Sequence, residues 1–156
     1  MASWGELEAE APELTATARE LLDDHVHKTL ATIRRDGSPR ISGTEVRFAD
    51  GQLWIGSMWE AVKALDLQRD PRFALHSGSI DPPEWKGDAK VAGRFEEITD
   101  PELKALVIGD DAPPGPNHLF RADVTEVVVV TLGDPQDHLV IETWHEGRGT
   151  DRLERR

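Results

Sequence analysis

Alternating apolar and polar positions predict short strands along most of this chain. Such segments, bounded by Asp, Gly and Pro, are typical of half-buried strands. The pairs Asp36-Gly37 and Asp50-Gly51 are strong signals for tight turns between neighbouring strands, so the first three strands are predicted to form an antiparallel meander. A change of apolar phase in the second strand predicts a bulge or bend at Gly43. The predicted strands cover residues 28–33, 40–48, 53–57, 71–77, 90–98, 118–132 and 139–144.

Three segments show a helical spacing of apolar residues instead. Pro12 suits the first position of a helix over residues 12–24, and Pro101 suits that of a helix that ends at Gly109. The third helix is predicted over residues 58–69, directly after a strand. The stripe of this third helix that is predicted to face inward consists of Met58, Ala61, Val62, Leu65 and Arg69.

The start of this third helix is a candidate anion site. Ser57 would cap the helix, and Glu60 would complete a capping box. The unpaired N–H groups and partial positive charge of such a terminus attract anions such as phosphate, and Lys63 would add a cation. The alternative is that Ser57 and Glu60 only cap a helix and that Lys63 is only solvated. The spacing by itself favours this alternative, because capping boxes are common.

Strands outnumber helices, and tight turns join most of them. This combination predicts a mainly β fold, an antiparallel barrel with helices packed outside it, rather than a doubly wound sheet. We expect an acidic N-terminal segment with a helix at residues 1–24, a barrel domain at residues 25–146 and a basic tail at residues 147–156. Gly147 and Gly149 are expected to loosen that tail.

The composition is that of an acidic protein without cysteine. The chain has 156 residues and a formal net charge of −12, which disfavours binding to nucleic acid or anionic membranes. The absence of cysteine excludes disulfides and thiolate chemistry. No apolar stretch is long enough to cross a bilayer, and without a signal-peptide pattern we expect a cytoplasmic protein. Residues 1–10 are acidic and carry little periodic pattern, while the four arginines after Gly147 form either a solvated end or an arm for an anionic ligand or a partner subunit.

No pattern in the sequence identifies a catalytic side chain. His25 and His27 would share one face of a strand near Asp23 and Asp24, which is half of a possible metal site. A polar strand entrance is the preferred interpretation, because no further His-x-His pattern completes the ligand set. Nucleophile elbows, P-loops and Gly-x-Gly-x-x-Gly motifs are also absent. We therefore assign no metal ligand and no catalytic residue, and expect any chemistry to come from a bound cofactor. Trp59 lies where an exposed helix face would meet a ligand ring or a partner chain.

Four segments occur in an order that is typical of one known family. They are TLATIRRDGSPRIS (29–42), LWIGS (53–57), KALDLQRDPRFALH (63–76) and VAGRFEEITDPE (91–102). Together with Trp144, Gly147 and Arg148 near the C-terminus, they resemble the pyridoxamine 5′-phosphate oxidase-like proteins, also called the flavin/deazaflavin oxidoreductases of the split β-barrel fold. The resemblance covers roughly residues 20–152.

The resemblance implies a split β-barrel of the FMN-binding-protein type that forms a homodimer, with two cofactor clefts at the subunit interface. The cofactor would be FMN or the deazaflavin coenzyme F-420, with its phosphate beside the corner between the third strand and the following helix. The second strand would line the ring, and the C-terminal tail would come from the neighbouring chain. The cofactor-binding residues implied in this way are Ser42, Thr44, Ser57, Met58, Lys63, Trp144 and Arg148.

The chain departs from the oxidases proper just before Lys63. Those proteins carry Ser-Arg there, whereas Ala61 and Val62 cannot bind phosphate, and Glu60 adds a carboxylate where an anion would sit. This difference disfavours pyridoxamine phosphate oxidation and slightly favours the deazaflavin. The expected function is a flavin- or deazaflavin-dependent oxidoreductase that transfers a hydride to or from a small organic substrate. The alternatives are a non-catalytic protein of the same fold that binds or stores a flavin, a deazaflavin or haem, and a dimer without a cofactor.

Overall fold

Antiparallel strands make up most of the structure, a computed structural model that describes residues 2–110 and 112–156. The helices in these residues are α1 (Trp4–Glu10), α2 (Pro12–Asp23), α3 (Val62–Arg69) and α4 (Pro101–Ile108). The strands are β1 (Lys28–Ile33), β2 (Pro39–Thr44), β3 (Arg47–Ala49), β4 (Gln52–Met58), β5 (Arg72–His76), β6 (Asp88–Glu97), β7 (Asn117–Leu132), β8 (Leu139–His145) and β9 (Gly149–Arg155).

The strands close into a barrel because the chain itself joins the two edges of the sheet. The strand order is β2-β1-β5-β6-β7-β4-β3, all neighbours are antiparallel, and the β8–β9 hairpin extends from β7. β2 and β3 lie at opposite ends of this order, yet only Glu45 and Val46 separate them in the chain. The three Cα–Cα steps from Thr44 to Arg47 span about 11 Å at most, so the sheet must curl until its edges meet. The predicted antiparallel barrel is confirmed.

One row of buried apolar side chains runs across five neighbouring strands. From β1 to β8, the cross-strand partners are Leu30, Leu75, Val91, Val127 and Trp144. Each of these side chains is at most 2% exposed. Because paired residues of an antiparallel sheet point to the same face, the row forms one continuous layer of the core. The period-two apolar pattern that predicted the strands arises because alternate side chains of each strand belong to this buried layer.

Two of the predicted helices have the ends that the sequence indicated. Pro12 occupies the first turn of α2. Asp100 caps α4 by accepting the N–H of Glu102, with Pro101 at the first helical position, and Gly109 ends the helix. Among the described residues, no helix combines the length and the apolar character that crossing a membrane requires.

The helix α1 forms where the sequence showed little pattern. Ser3 Oγ accepts the Glu6 N–H at 3.2 Å, and the Glu6 carboxylate accepts the Ser3 N–H at 2.7 Å, which completes a capping box. Trp4 and Leu7 are almost fully buried. A helix of seven residues is too short to be stable alone, so the packing of these two side chains in the core stabilises it.

The strand predicted over residues 40–48 is two strands. Its first half, β2, pairs with β1, and its second half, β3, pairs with β4. The interruption lies at Glu45 and Val46 rather than at Gly43. The predicted meander of three consecutive strands is therefore wrong. The chain crosses from one edge of the sheet to the other at this point, which is a consequence of barrel closure and not of a local turn signal.

The basic C-terminal tail is largely a strand. β9 pairs antiparallel along the whole of β8. Gly147 lies in the turn that joins the two strands and Gly149 is the first residue of β9, with φ of 77° and 72°, so the prediction that they loosen the tail is wrong. The side chains of residues 150–155 are all exposed, so β9 carries no alternating pattern from which it could have been predicted.

Candidate functional site

A cleft of about 950 Å³ opens beside the corner between β4 and α3. Its walls come from the β2–β3 connection, the ends of β4 and β7, the end of α4 and the proline-containing segment after α4. A concave site of this size with mixed apolar and polar walls is typical of small-molecule binding. The described residues that line it are His27, Gly43, Thr44, Glu45, Val46, Arg47, Trp54, Gly56, Ser57, Met58, Trp59, Ala61, Lys63, Val107, Ile108, Ala112, Pro113, Pro114, Pro116, Asn117, His118 and Leu119.

The structure brings several of the predicted cofactor-binding residues together in this cleft. They are Thr44 on β2, Ser57 and Met58 at the end of β4, and Lys63 on α3. Lys63 Nζ donates a 2.8 Å hydrogen bond to the carbonyl of Gly43, which holds α3 beside β2. These four residues thus share one cleft across three elements, and their binding of a cofactor stays a prediction.

The other predicted residues lie away from the cleft of their own chain. Ser42 pairs with Leu30, and its Oγ is buried without a hydrogen-bond partner among the described residues. Trp144 is 2% exposed and belongs to the hydrophobic core. Arg148 is exposed in the turn between β8 and β9. A single chain does not test whether Trp144 and Arg148 reach a partner's cleft, so that placement stays a prediction.

The corner between β4 and α3 differs from the one predicted. Met58 still belongs to β4, where it pairs with Asn117, so the helix cannot begin after Ser57. It begins after Ala61, and no side chain among the described residues caps it. Ser57 Oγ instead donates to the carbonyl of Met58 at 3.3 Å. The predicted capping box of Ser57 and Glu60 is therefore wrong, and within the described part of the chain no capping side chain satisfies the first N–H groups of α3.

The buried face of α3 is also not the one predicted. Ala64 and Leu67 are buried, whereas Val62 and Leu65, predicted to face inward, are 51% and 43% exposed. Asp66 shares the buried face. Because this residue is charged, the inward face does not show an apolar periodicity in the sequence. The more apolar stripe faces outward.

Two cationic side chains line the cleft, together with the carboxylate of Glu45. Lys63 is partly buried, and burial lowers the pKa of its ammonium group from the ordinary value. Arg47 on β3 donates from Nη1 to the carbonyl of Val107 near the end of α4. An anion held beside Lys63 would favour the charged ammonium and offset the effect of burial. The site is therefore suited to an anionic ligand.

A buried histidine forms part of the cleft wall. Nδ1 of His118 lies 2.6 Å from Glu97 Oε1, and the backbone N–H of Glu60 donates to Nε2 at 3.1 Å. Glu97 accepts a second hydrogen bond, of 2.8 Å, from Gln68. Burial alone would raise the pKa of Glu97, but the hydrogen bonds from His118 and Gln68 outweigh burial and lower it. The ring of Trp59 stacks on the imidazole, with 4.7 Å between centroids and 5° between planes.

Four polar residues of the described lining were not singled out from the sequence: Glu45, Arg47, Asn117 and His118. Arg47 and Lys63 line the same cleft only because the barrel closes, and no sequence spacing links the two. His118 begins the strand segment His118-Leu119-Phe120, in which every side chain is buried. A histidine in such an apolar segment is a usable signal, because a buried polar side chain requires partners.

The residue types in the cleft favour binding over catalysis by side chains. His27 is a lining residue, but within residues 2–110 and 112–156 no group of three or more His, Asp or Glu residues could hold a metal ion. The cleft combines a helix N-terminus, two cations and apolar and aromatic walls. This arrangement suits a ligand with an anionic end and a planar or apolar body.

Comparisons with known proteins identify the fold and the family. A family model described as Pyridoxamine 5′-phosphate oxidase matches residues 14–131. The search of curated proteins gives no match. Among solved structures, a conserved hypothetical protein from Mycobacterium tuberculosis is 22% identical with a TM-score of 0.62, over 72% of this chain and 81% of that one.

Two other solved structures have informative descriptions. A pyridoxamine 5′-phosphate oxidase-related, FMN binding protein from Nostoc punctiforme PCC 73102 is 16% identical with a TM-score of 0.61, over 96% of this chain and 97% of that one. An F420 reductase is 21% identical with a TM-score of 0.53, over 70% and 94% of the two chains. At these identities the structural likeness shows the fold alone.

Proposed function

This chain belongs to the pyridoxamine 5′-phosphate oxidase family, and on that premise we propose that its cleft binds FMN or coenzyme F-420. We further propose that the protein is an oxidoreductase that transfers a hydride to or from a small organic substrate. One observation carries this proposal. The N-terminus of α3, which no side chain among the described residues caps, lies beside Lys63 in a cleft of about 950 Å³. The FMN binding protein and the F420 reductase of the same fold support the choice of cofactors.

The phosphate of either cofactor fits the charges at the β4–α3 corner. The first N–H groups of α3 and the ammonium group of Lys63 would bind it. Where the oxidases proper have an arginine, this chain has Val62, and Arg47 on β3 supplies a second cation to the same cleft. The backbone N–H of Glu60 is not part of this anion site, because it donates to His118 Nε2. The residues present therefore fit an anionic group without the Ser-Arg pair.

The planar ring of the cofactor fits the remaining walls of the cleft. Trp59 is 53% exposed and offers a flat aromatic surface, while Thr44, Ser57 and Met58 line the adjoining walls. When bound, a flavin or deazaflavin supplies the hydride-transfer chemistry that side chains lack. The role of the protein would be to bind and orient the ring and to exclude water. No side chain is assigned a catalytic role.

A homodimer is part of this proposal. Ile41 on β2 is 73% exposed, and Val62 and Leu65 on α3 are about half exposed. The hydrogen bond from Lys63 to Gly43 holds these two elements together, so the exposed apolar side chains lie on adjoining elements, as is typical of a protein interface. In such a dimer we place the partner's Arg148 beside the cleft, as the family resemblance implies. Sedimentation equilibrium tests this, and a monomeric mass at micromolar concentration would contradict it.

Absorption titrations of the purified protein with FMN and with F-420 test the cofactor. We expect one of them to bind with its spectrum perturbed, and riboflavin, which lacks the phosphate, to bind at least about tenfold more weakly than FMN where FMN is the cofactor. Binding of neither cofactor would refute the proposal. A bound cofactor that candidate substrates neither reduce nor reoxidise would favour the binding or storage alternative instead.

A further inference from the structure

The corner that presents α3 to the cleft depends on one buried side chain. Glu60 has a φ of 56°, a left-handed conformation that is costly for a residue with a Cβ atom. Its N–H donates to His118 Nε2, and Ala61, the N-cap of α3, follows directly. Whatever holds Glu60 in place therefore also sets where α3 begins and where Lys63 lies.

The hydrogen bonds of His118 assign its tautomer. Nε2 accepts the Glu60 N–H at 3.1 Å, so it carries a lone pair and no proton. Nδ1 lies 2.6 Å from the Glu97 carboxylate, which only accepts, so Nδ1 carries the proton. Gln68 donates to the other oxygen of Glu97 at 2.8 Å and fixes the carboxylate. The result is a neutral imidazole whose only available acceptor faces the corner.

Burial makes this single acceptor decisive. The His118 side chain is 2% exposed, and the stacked ring of Trp59 covers one face of the imidazole. Water therefore has little access to replace the acceptor if it is lost. The unsatisfied N–H of Glu60 and its unsupported left-handed conformation would then both favour a different backbone conformation between β4 and α3.

We propose that His118 is a positioning residue of the cleft: by accepting the Glu60 N–H, it fixes the corner that presents Lys63 and the start of α3 to an anionic ligand. His118 acts through Glu60 and not through contact with the ligand. The inference rests on the proposed function for the identity of the ligand, whereas the geometry of the corner is independent of it.

Paired double variants separate positioning from general damage. His118→Phe keeps an aromatic ring beside Trp59 and removes both hydrogen bonds. In that background, Glu60→Gly and Glu60→Ala both remove the carboxylate, but only glycine adopts the left-handed conformation without a steric cost. FMN or F-420, whichever binds the unmodified protein, is the probe in absorption titrations.

We expect His118→Phe to bind the cofactor about tenfold more weakly, the effect of one unsupported left-handed residue. The double variant with glycine should recover most of the affinity, and the one with alanine should not. The matched control is His145→Phe, which breaks a 2.9 Å contact with Glu126 outside the cleft and should leave the affinity unchanged. Unchanged affinity in His118→Phe, or equal affinities of the two double variants, overturns the proposal.

A measurement without ligand keeps this inference separate from the proposed function. The N–H groups of Ala64 and Leu65 both donate to the carbonyl of Ala61, so their hydrogen exchange reports the first turn of α3. Exchange should accelerate in His118→Phe and slow again only when Glu60 is glycine. If His118→Phe does not fold, His118→Gln, whose side-chain oxygen can accept the Glu60 N–H, is compared with His118→Leu, which cannot. Equal exchange in these two, or an Nε2-protonated imidazole in nitrogen NMR, overturns the inference, whatever the cofactor titrations show.

Discussion

The two ends of helix α3 are held in different ways. Toward the C-terminal end, Asp66 is 2% exposed and accepts hydrogen bonds of 2.7–2.9 Å from Thr32, Arg40 and Arg69. At the N-terminal end, no side chain among the described residues caps the helix, and Lys63 donates to a backbone carbonyl. One end is paired within the chain, and the other is presented to a cleft.

Within the eight residues of α3, one end therefore contributes to stability and the other is available for binding a ligand. A buried carboxylate must have its partners inside the protein, because water cannot reach it. A helix N-terminus beside a cleft can keep its N–H groups for solvent or a ligand. Substitutions at Asp66 should therefore change folding with little direct effect on the cleft, and substitutions at the other end should do the reverse.

The largest effect is expected from Asp66→Asn. The amide places N–H donors against two guanidinium groups, so the free energy of unfolding should fall by about 3 kcal/mol. This value is the lower limit for a broken buried ion pair, because Arg40 and Arg69 remain partly exposed. Denaturant titration measures the change. Asp70→Asn, which breaks a more exposed pair with Arg72, is the control and should reduce stability less. Similar losses for the two variants would contradict the comparison.

Lys63→Ala tests the other end of the helix. Losing a charge-assisted hydrogen bond to the phosphate should weaken cofactor binding by about 1–3 kcal/mol, or roughly fivefold to 150-fold. Absorption titration measures the affinity, and the melting temperature should stay close to that of the unmodified protein. Lys86→Ala is matched in charge, because Lys86 is an exposed lysine 3.6 Å from Asp24, and it should leave the affinity unchanged. Unaltered affinity in Lys63→Ala would place the ligand elsewhere.

Acid should weaken the paired end of α3. Burial alone would raise the pKa of Asp66, but the hydrogen bonds from Arg40, Thr32 and Arg69 outweigh it and leave the pKa below its ordinary value of 3.8. A carboxyl with a lowered folded-state pKa contributes its full stabilisation above the unfolded-state pKa and loses it as pH falls through the folded-state pKa. Urea titrations between about pH 5 and pH 2 should therefore show a shallower acid loss for Asp66→Asn. Parallel curves would contradict this assignment.

The smallest effect is expected from Ser57→Ala. Ser57 does not cap α3, so its removal should change the free energy of unfolding by no more than about 0.5 kcal/mol. Ser3→Ala removes the capping box that α1 does have, and it should cost about 1 kcal/mol. Comparing the two serines by denaturant titration tests the location of the cap directly. A larger loss at Ser57 would restore the predicted capping box.

The parts of the fold that were predicted have local causes. Strand β1 and helix α4 have the predicted bounds, because period-two alternation and the Asp100-Pro101 start act within a few residues. Asp50 and Gly51 both have positive φ, at 52° and 68°, as their turn signal indicated. Lys63 and Ser57 were found for the same reason, since a strand followed by a helix is visible in the sequence.

The parts that were not predicted depend on contacts between distant segments. The inward face of α3 was misassigned because Asp66 is buried against Arg40, which lies 26 positions earlier in the chain. Strand β9 has no buried face, and α1 is stabilised by packing of Trp4 and Leu7. Arg47 and His118 reach the cleft from strands that no local pattern joins to the β4–α3 corner.

The sequence by itself determined an antiparallel barrel, its main turns and the segment that carries the candidate anion site. Hydrophobic periodicity and turn chemistry encode these features, because both arise from the conformations of neighbouring residues. Only the tertiary structure decided where α3 begins, which of its faces is buried and which side chains surround the cleft. Those outcomes follow from barrel closure, which brings Gly43 to Lys63 and His118 to Glu60, and the free energy of such contacts depends on residues that lie far apart in the chain.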